Sequence, residues 1–379
     1  MMEARPPPLA LLTALLVFPQ IVETVYSPAL VDIGHAFSVS PQVAAQTLSC
    51  YFASFAAGVL SWGWLSDRWG RRPALLAGLA VYAAGSLAAL FAHDFAVLLF
   101  ARIVSAFGAA AGSVVTQTML RDRLRGGALA QAFAQIGVAL ALSPAIGLLS
   151  GSALVQRFGY RGVFVALLAL AGLLLIGCAY LLRETRADNV RTPAFSRTIA
   201  RMARDPQIAL AALLIAAQNV GLFSFYALAP SLFHRAGLPA GSLVWGGVAL
   251  AVGSLTGGRG GAALRRRGAG EPVLLGLGLA AGATGAALSL PLSRTIWCVP
   301  AMSLVSLGFA LVVPVVLGRA LAGYSDQRGS AGAILGLAYY TLIAIGLALA
   351  GWGQNLGLTL AVCAAGSALC GWRYCRHLA

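Results

Sequence analysis

The chain is divided by its own hydropathy. Twelve apolar runs, at 9–35, 42–65, 73–92, 95–119, 128–155, 160–182, 207–233, 242–264, 272–291, 296–318, 330–352 and 355–374, follow one another with short polar breaks. A bilayer-spanning helix takes ~20 residues, so each run is long enough to cross. In hydrocarbon a segment must satisfy its backbone internally, which makes each run a predicted helix. Composition agrees: 59% of the 379 residues are hydrophobic and 10% are charged. An average soluble domain has roughly 25% charged residues and needs them to cover its surface. A soluble enzyme, a disordered chain and a small disulfide scaffold are therefore excluded. The expected fold class is an all-α polytopic membrane protein with twelve transmembrane helices and no room for a soluble domain. Arg5 before the first run suggests a signal peptide, but that run continues too far, carries Glu23 and leads into another span. It is read as a retained helix.

All 26 basic residues are arginine, against 11 acids, for a net charge of +15. With the N-terminus placed in the cytoplasm, 21 arginines fall on that side and 4 (Arg157, Arg161, Arg235, Arg294) on the other. Arg102 alone falls inside a span. This positive-inside asymmetry places both termini in the cytoplasm. The charge then serves orientation and attraction to the lipid bilayer, and no nucleic-acid partner is expected. The six cysteines and four histidines are scattered without metal spacing, so neither a metal nor a cofactor is expected. The longest polar stretch, Arg183 to Asp205, divides the chain into a six-helix half (1–182), a linker (183–206) and a second six-helix half (207–379). Short echoes keep that register: RIVS from Arg102 with SLVS from Ser303, and YSPAL from Tyr26 with LAPSL from Leu228. Two six-helix pseudo-repeats around a midplane site form a transporter architecture.

A carboxylate near the middle of an apolar span is costly and is a functional candidate by default. Glu23 is such a group, and Gln20 and Ser27 share its helix face. Arg102, seven residues into the fourth span, is the one intramembrane arginine. Two readings fit the pair: a proton carrier with its countercharge, or a static pair that fixes helix packing. The second half has no acid within a span, so any coupling chemistry belongs to the first half. Expected to line a substrate cavity are Gln20, Tyr26, Gln117, Gln218, Asn219, Phe223, Tyr226, Trp245 and Tyr339, with Tyr340 beside them. Aromatic walls with a few hydrogen bonds suit an amphipathic organic molecule.

The most distinctive string is GWLSDRWGRRP, Gly63 to Pro73, between spans two and three. Gly63 is expected to allow close helix approach and Gly70 a tight reversal. Asp67, the loop's one acid, can cap a helix or pair with Arg68, Arg71 or Arg72.

This string resembles the loop 2–3 signature of the major facilitator superfamily. RIVSAFGAA, from Arg102, is similar to that superfamily's fourth-helix motif. ALALSPAIGLLSG, Ala139 to Gly151, resembles the fifth-helix motif of its drug/proton antiporters, with Pro144 and Gly147 kept and Ala139, Ser143 and Leu148 departing. Arg121–Asp122 and Glu184–Thr185 also look like this group. VETVYSPAL, from Val22, resembles the first helix of the bicyclomycin/chloramphenicol-resistance branch, although that branch's aspartate falls on Thr24. The resemblance implies a monomeric proton-coupled exporter of small amphipathic compounds such as antibiotics, in the bacterial inner membrane. Its partners would be a small-molecule substrate and protons, with Glu23 and Arg102 coupling them. It implies a conformational switch in the Gly63–Arg72 loop and no enzymatic activity. An exporter of an endogenous metabolite, such as a siderophore or amino-acid derivative, fits the same residues.

Overall fold

The computed structural model describes residues 8–124, 126–186, 195–239, 241–293, 295–324 and 328–376. Arg5, Arg125, Arg191 and Arg294, counted above, lie outside them. The described residues are helical, in the order α1 (Leu9–Tyr26), α2 (Leu30–Ala36), α3 (Pro41–Trp69), α4 (Arg71–Leu90), α5 (Phe95–Arg123) and α6 (Gly126–Leu181). Then come α7 (Phe195–Ala203), α8 (Pro206–Arg235), α9 (Ser242–Arg266), α10 (Glu271–Leu292), α11 (Cys298–Ala320), α12 (Arg328–Gly353) and α13 (Leu356–Arg376). Ten helices among the described residues are long and apolar enough to cross a membrane. One of them covers two of the expected spans, which meet at Gly159, where the backbone leaves the helical conformation with φ 64° and ψ −171°. With those counted as two crossings and the glycine-rich α9 added, the crossings number twelve. The first crossing is α1 and α2 joined by a 3-10 turn at Ser27–Ala29, because Pro28 has no N–H to continue the α-helical ladder. Part of the expected linker is the short helix α7, with Thr198 and Met202 buried and Ile199 exposed.

Polar residues at the breaks start the helices. Ser40 accepts from the Val43 N–H, Asp94 from Val97, and Asp205 from Gln207. Each satisfies a donor that the helix N-terminus leaves open.

Glycines set how closely the helices pack. A Cβ on Gly78 would lie 2.2 Å from the Ala111 Cβ, and one on Gly108 would lie 2.5 Å from the Gly78 carbonyl oxygen. The α4–α5 crossing therefore tolerates nothing larger than glycine at either position. The same crossing recurs between α10 and α11, where Gly278 and Gly308 approach each other. Gly78, Gly85 and Gly108 recur as Gly278, Gly285 and Gly308 at a constant offset, an internal repeat stronger than the short sequence echoes. Small residues at such contacts are how helices associate without a hydrophobic driving force. Gly108→Ala is expected to lower the thermal midpoint of the purified protein, as an overpacked contact costs about 1–3 kcal/mol. Gly282→Ala, where a Cβ meets nothing within 4 Å, is expected to leave it unchanged.

Candidate functional site

Two groups of polar residues stand out in this fold, one in the interior and one at the arginine-rich face. In the interior, Glu23 is 3% exposed and Arg102 is 1% exposed. They are close enough to interact electrostatically, yet form no ion pair among the described residues. The Arg102 guanidinium lies over two tyrosine rings instead, 4.0 Å from the Tyr26 centroid and 4.8 Å from that of Tyr51. Aromatic faces attract a cation through their quadrupole. Glu23 Oε2, Arg102 Nε and Nη2, and the buried hydroxyls of Tyr26, Tyr51 and Tyr226 have no hydrogen-bond partner among the described residues. Buried polar groups are nearly always bonded, so this cluster is unusual.

α6 positions the carboxylate. A Cβ on Gly147 would lie 1.8 Å from Thr24 Oγ1, and one on Gly151 would lie 2.3 Å from the Val25 carbonyl oxygen. Gly147 thus lets α6 press against the turn of α1 that bears Glu23. One turn earlier, the Pro144 carbonyl faces α9 at Gly247. Gly147→Leu is expected to displace that turn of α1 and abolish transport, while Gly172→Leu, with open space at its Cβ, is expected to retain it.

Aromatic side chains from α3, α8 and α12 close the centre. Phe52 lies 4.7 Å from Phe223, Phe55 4.9 Å from Tyr340, and Tyr339 4.4 Å from Tyr340, ring centre to ring centre. Tyr51, Tyr226 and Tyr340 are all within electrostatic range of Glu23. Toward the arginine-poor side, the Ser27 hydroxyl donates to the Tyr226 carbonyl at 2.6 Å. Gln46 Nε2 donates to the Ala348 carbonyl at 3.2 Å. The His35 and His234 rings meet at 5.8 Å.

The predicted cavity residues separate into two sets. Tyr26, Phe223, Tyr226 and Tyr339 belong to the central aromatic group. Gln20 and Gln117 are half-buried on α1 and α5, and Gln117 approaches Ser113 at 3.4 Å. Gln218 is turned aside: its amide donates to Ser367 Oγ at 3.0 Å, lining a small pocket among α8, α10, α11 and α13. The Asn219 amide donates to its own helix at the Ile215 carbonyl. Trp245 stands apart from the central aromatic group: it is 64% exposed, on a side of α9 that also exposes Val248 and Val252. Sequence reasoning missed Tyr51, Phe52 and Phe55, whose i, i+1, i+4 spacing on α3 was the available signal.

At the arginine-rich face, Gly70 has φ 103° and reverses the chain between α3 and α4. Gly63 has no close neighbour, only Val114 Cγ2 at 3.8 Å from a built Cβ, so the expected tight approach there is absent. Arg71, 5% exposed, pairs with Asp67 one turn back and with Asp122 of α5 at 3.1 Å. Arg68 stacks over Trp64, and Arg72 donates to the Ala179 carbonyl at 2.6 Å. The N-terminus of α4 is capped not by Asp67 but by Glu184, beyond the end of α6. Its carboxylate accepts from the backbone N–H groups of Arg71 at 2.9 Å and Arg72 at 3.1 Å. Arg123 donates to the Glu184 carbonyl, and Arg186 to that of Arg68. The ends of α3, α4, α5 and α6 are thereby clamped together by charge-assisted bonds, which are stronger than neutral ones.

Burial pushes the Glu184 pKa up, but the N–H groups of Arg186, Arg71, Arg72 and Thr185 outweigh it and hold the carboxyl below its ordinary range. A depressed pKa contributes stability above the ordinary carboxylate range, lost as pH falls through the depressed value. Glu184→Gln is expected to lower the thermal midpoint at neutral pH, a cap being worth ~0.5–2 kcal/mol. The difference from wild type is expected to vanish in acid.

A twelve-crossing bundle with a buried charged centre and a clamped arginine face defines a helical membrane transporter. The chain matches the Major Facilitator Superfamily model over residues 12–350 and belongs to that family. It is 31% identical over 354 residues to an uncharacterized transporter of Rickettsia bellii, covering 89% of this chain and 87% of that protein. A segment covering 37% of the chain is 27% identical to the multidrug resistance protein D of Escherichia coli, covering 36% of that protein. Among solved structures, the xylose transporter XylE from Escherichia coli, in a partially occluded inward-open conformation, matches with a TM-score of 0.74 at 13% identity. That match covers 96% of this chain and 95% of XylE's.

Proposed function

We propose that this transporter is a proton-coupled exporter of small amphipathic organic compounds, antibiotics among them, acting by alternating access in the bacterial inner membrane. The observation that carries this reading is Glu23, a carboxylate buried mid-span beside a buried arginine. Partial matches to proteins named for multidrug and chloramphenicol resistance support it. The units 1–182 and 207–379 rock about this centre, as a monomer with both termini in the cytoplasm and 183–206 as the linker.

Facing outward, Glu23 takes up a proton. Its attraction to Arg102 then weakens and substrate leaves. Facing inward, Glu23 releases the proton to the cytoplasm, and its charge together with the aromatic walls re-forms the binding site. One elementary charge moved through 100 mV supplies ~2.3 kcal/mol, a gradient of about 40-fold for a neutral substrate. The arginine-face clamp holds the first unit as one body while it rocks.

The test uses everted membrane vesicles acidified by respiration, challenged with a panel of lipophilic antibiotics. Compounds that dissipate the pH gradient only in vesicles containing this chain are expected, and a gradient indifferent to every compound would contradict the proposal. One observation favours a second reading with the same machinery. The relatives matched over 89% of the chain are transporters whose names carry no drug. Export of an endogenous metabolite would show as one compound missing from the medium of a deletion strain.

A further inference from the structure

The arginine-rich face of the later helices is built differently from that of the earlier ones. Around α4, the Arg71 guanidinium is answered by Asp67 and Asp122, the Glu184 carboxylate caps the helix, and the Arg72 and Arg123 side chains donate to the Ala179 and Glu184 carbonyls. Around the start of α10, a depression of about 520 Å³ opens between the ends of α8, α9, α10 and α11. Arg265 and Arg319 line it, with Gln207 and Glu271. Glu271 is spent on Arg319, at 2.9 Å and with both side chains 43% exposed. Arg265 has no partner among the described residues. A third guanidinium, Arg201 of α7, stands at the rim, stacked 4.7 Å over Tyr324 and donating to the Gly323 carbonyl that lines the depression. Arg265 and Arg319 thus line the recess with one acid, Glu271, and a polar amide, while at the rim Arg201 stands with Asp205, which accepts from the Tyr324 hydroxyl at 2.9 Å and from the Gln207 N–H, on the face that the charge distribution assigns to the cytoplasm.

We propose that this depression is a binding site for a phosphate group. Guanidinium groups suit phosphate oxygens because their donors form a planar fork. The volume admits a phosphodiester headgroup of an anionic lipid in the adjoining leaflet or a free phosphate from the cytoplasm. A basic pocket between helices at that level is the arrangement that holds lipid headgroups. Occupancy would bridge the ends of four helices, as Glu184 bridges the earlier ones. The site rests on the membrane orientation, not on proton coupling or on substrate identity.

The test is thermal unfolding of the purified full chain in neutral detergent at constant ionic strength. Three additions are compared: dioleoyl phosphatidylglycerol, dioleoyl phosphatidylcholine and inorganic phosphate. The expected result is a saturable rise in midpoint with phosphatidylglycerol or with inorganic phosphate, the responding one identifying the source, and a smaller rise with phosphatidylcholine. Arg265→Gln breaks no side-chain hydrogen bond or ion pair among the described residues, so it should unfold at the wild-type temperature without additions. It should raise the apparent Kd about tenfold, the loss expected for one hydrogen bond to a charged group. Arg319→Gln should weaken binding as well. No rise above a chloride control, a rise equal for phosphatidylcholine, or an unchanged Kd in Arg265→Gln would overturn the proposal.

Discussion

Glu23→Gln is expected to abolish uphill transport while the protein stays folded and still exchanges substrate downhill. The amide has nearly the shape of the protonated acid and keeps hydrogen-bonding capacity, but it cannot carry a proton across. Removing a buried charge relieves a desolvation cost but leaves Arg102 without its countercharge, held by the Tyr26 and Tyr51 rings, so the thermal midpoint should fall by less than in Arg102→Ala. In proteoliposomes with an imposed pH gradient and membrane potential, accumulation should fall from about 40-fold per 100 mV to equilibration. Substrate counterflow should persist at saturating substrate but with a raised half-saturation concentration, since it needs the rocking motion and no proton while the neutral amide binds substrate more weakly. Loss of counterflow as well would show that Glu23 is structural.

Arg102→Ala is expected to have the largest effect on stability. Arg102 heads the fully buried side chains by volume. Its guanidinium is held between Tyr26 and Tyr51, and its removal leaves a cavity and an uncompensated carboxylate. Breaking a buried charge interaction by deleting one member costs ~3–5 kcal/mol, which should appear as a sharply lowered midpoint and poor recovery from the membrane. Arg102→Lys should fall between, since an ammonium keeps the charge but not the planar stacking. The double variant Glu23→Gln/Arg102→Ala should lose less than the sum of the single variants, because the neutral amide no longer needs a countercharge. Additive losses would show that the two groups are uncoupled.

The spans were legible because hydrocarbon imposes one length and one composition on every crossing. The division near residue 159 was legible as a polar interruption, and Gly70 as a glycine where the chain must reverse. Helix faces were harder to read. In a membrane both the lipid side and the packed side are apolar, so periodicity does not separate them. Trp245 therefore looked like a cavity residue and stands apart from the central group, and Gln218 looked central and bonds to Ser367. The Glu23–Arg102 neighbourhood followed from their being the charges deep in apolar spans, but the tyrosines that hold the guanidinium did not. Tyr51 and Phe52 lie in a run whose composition gives no sign of which helix it meets. The cap on α4 was hidden for another reason. Its carboxylate is more than a hundred residues away in Glu184, and only the folded chain brings the two together.

The central claim is that one proton and one substrate compete for the centre at Glu23. It is tested most directly by proton release on binding. Purified protein in weakly buffered detergent, at a pH where substrate binds, is mixed with the compound that best dissipates the vesicle gradient, and the pH is followed. Wild type is predicted to release protons on binding in proportion to occupancy, and Glu23→Gln, which mimics the protonated state and binds the compound more weakly, to release none even at concentrations that saturate it. Equal proton release from the two proteins would contradict the account.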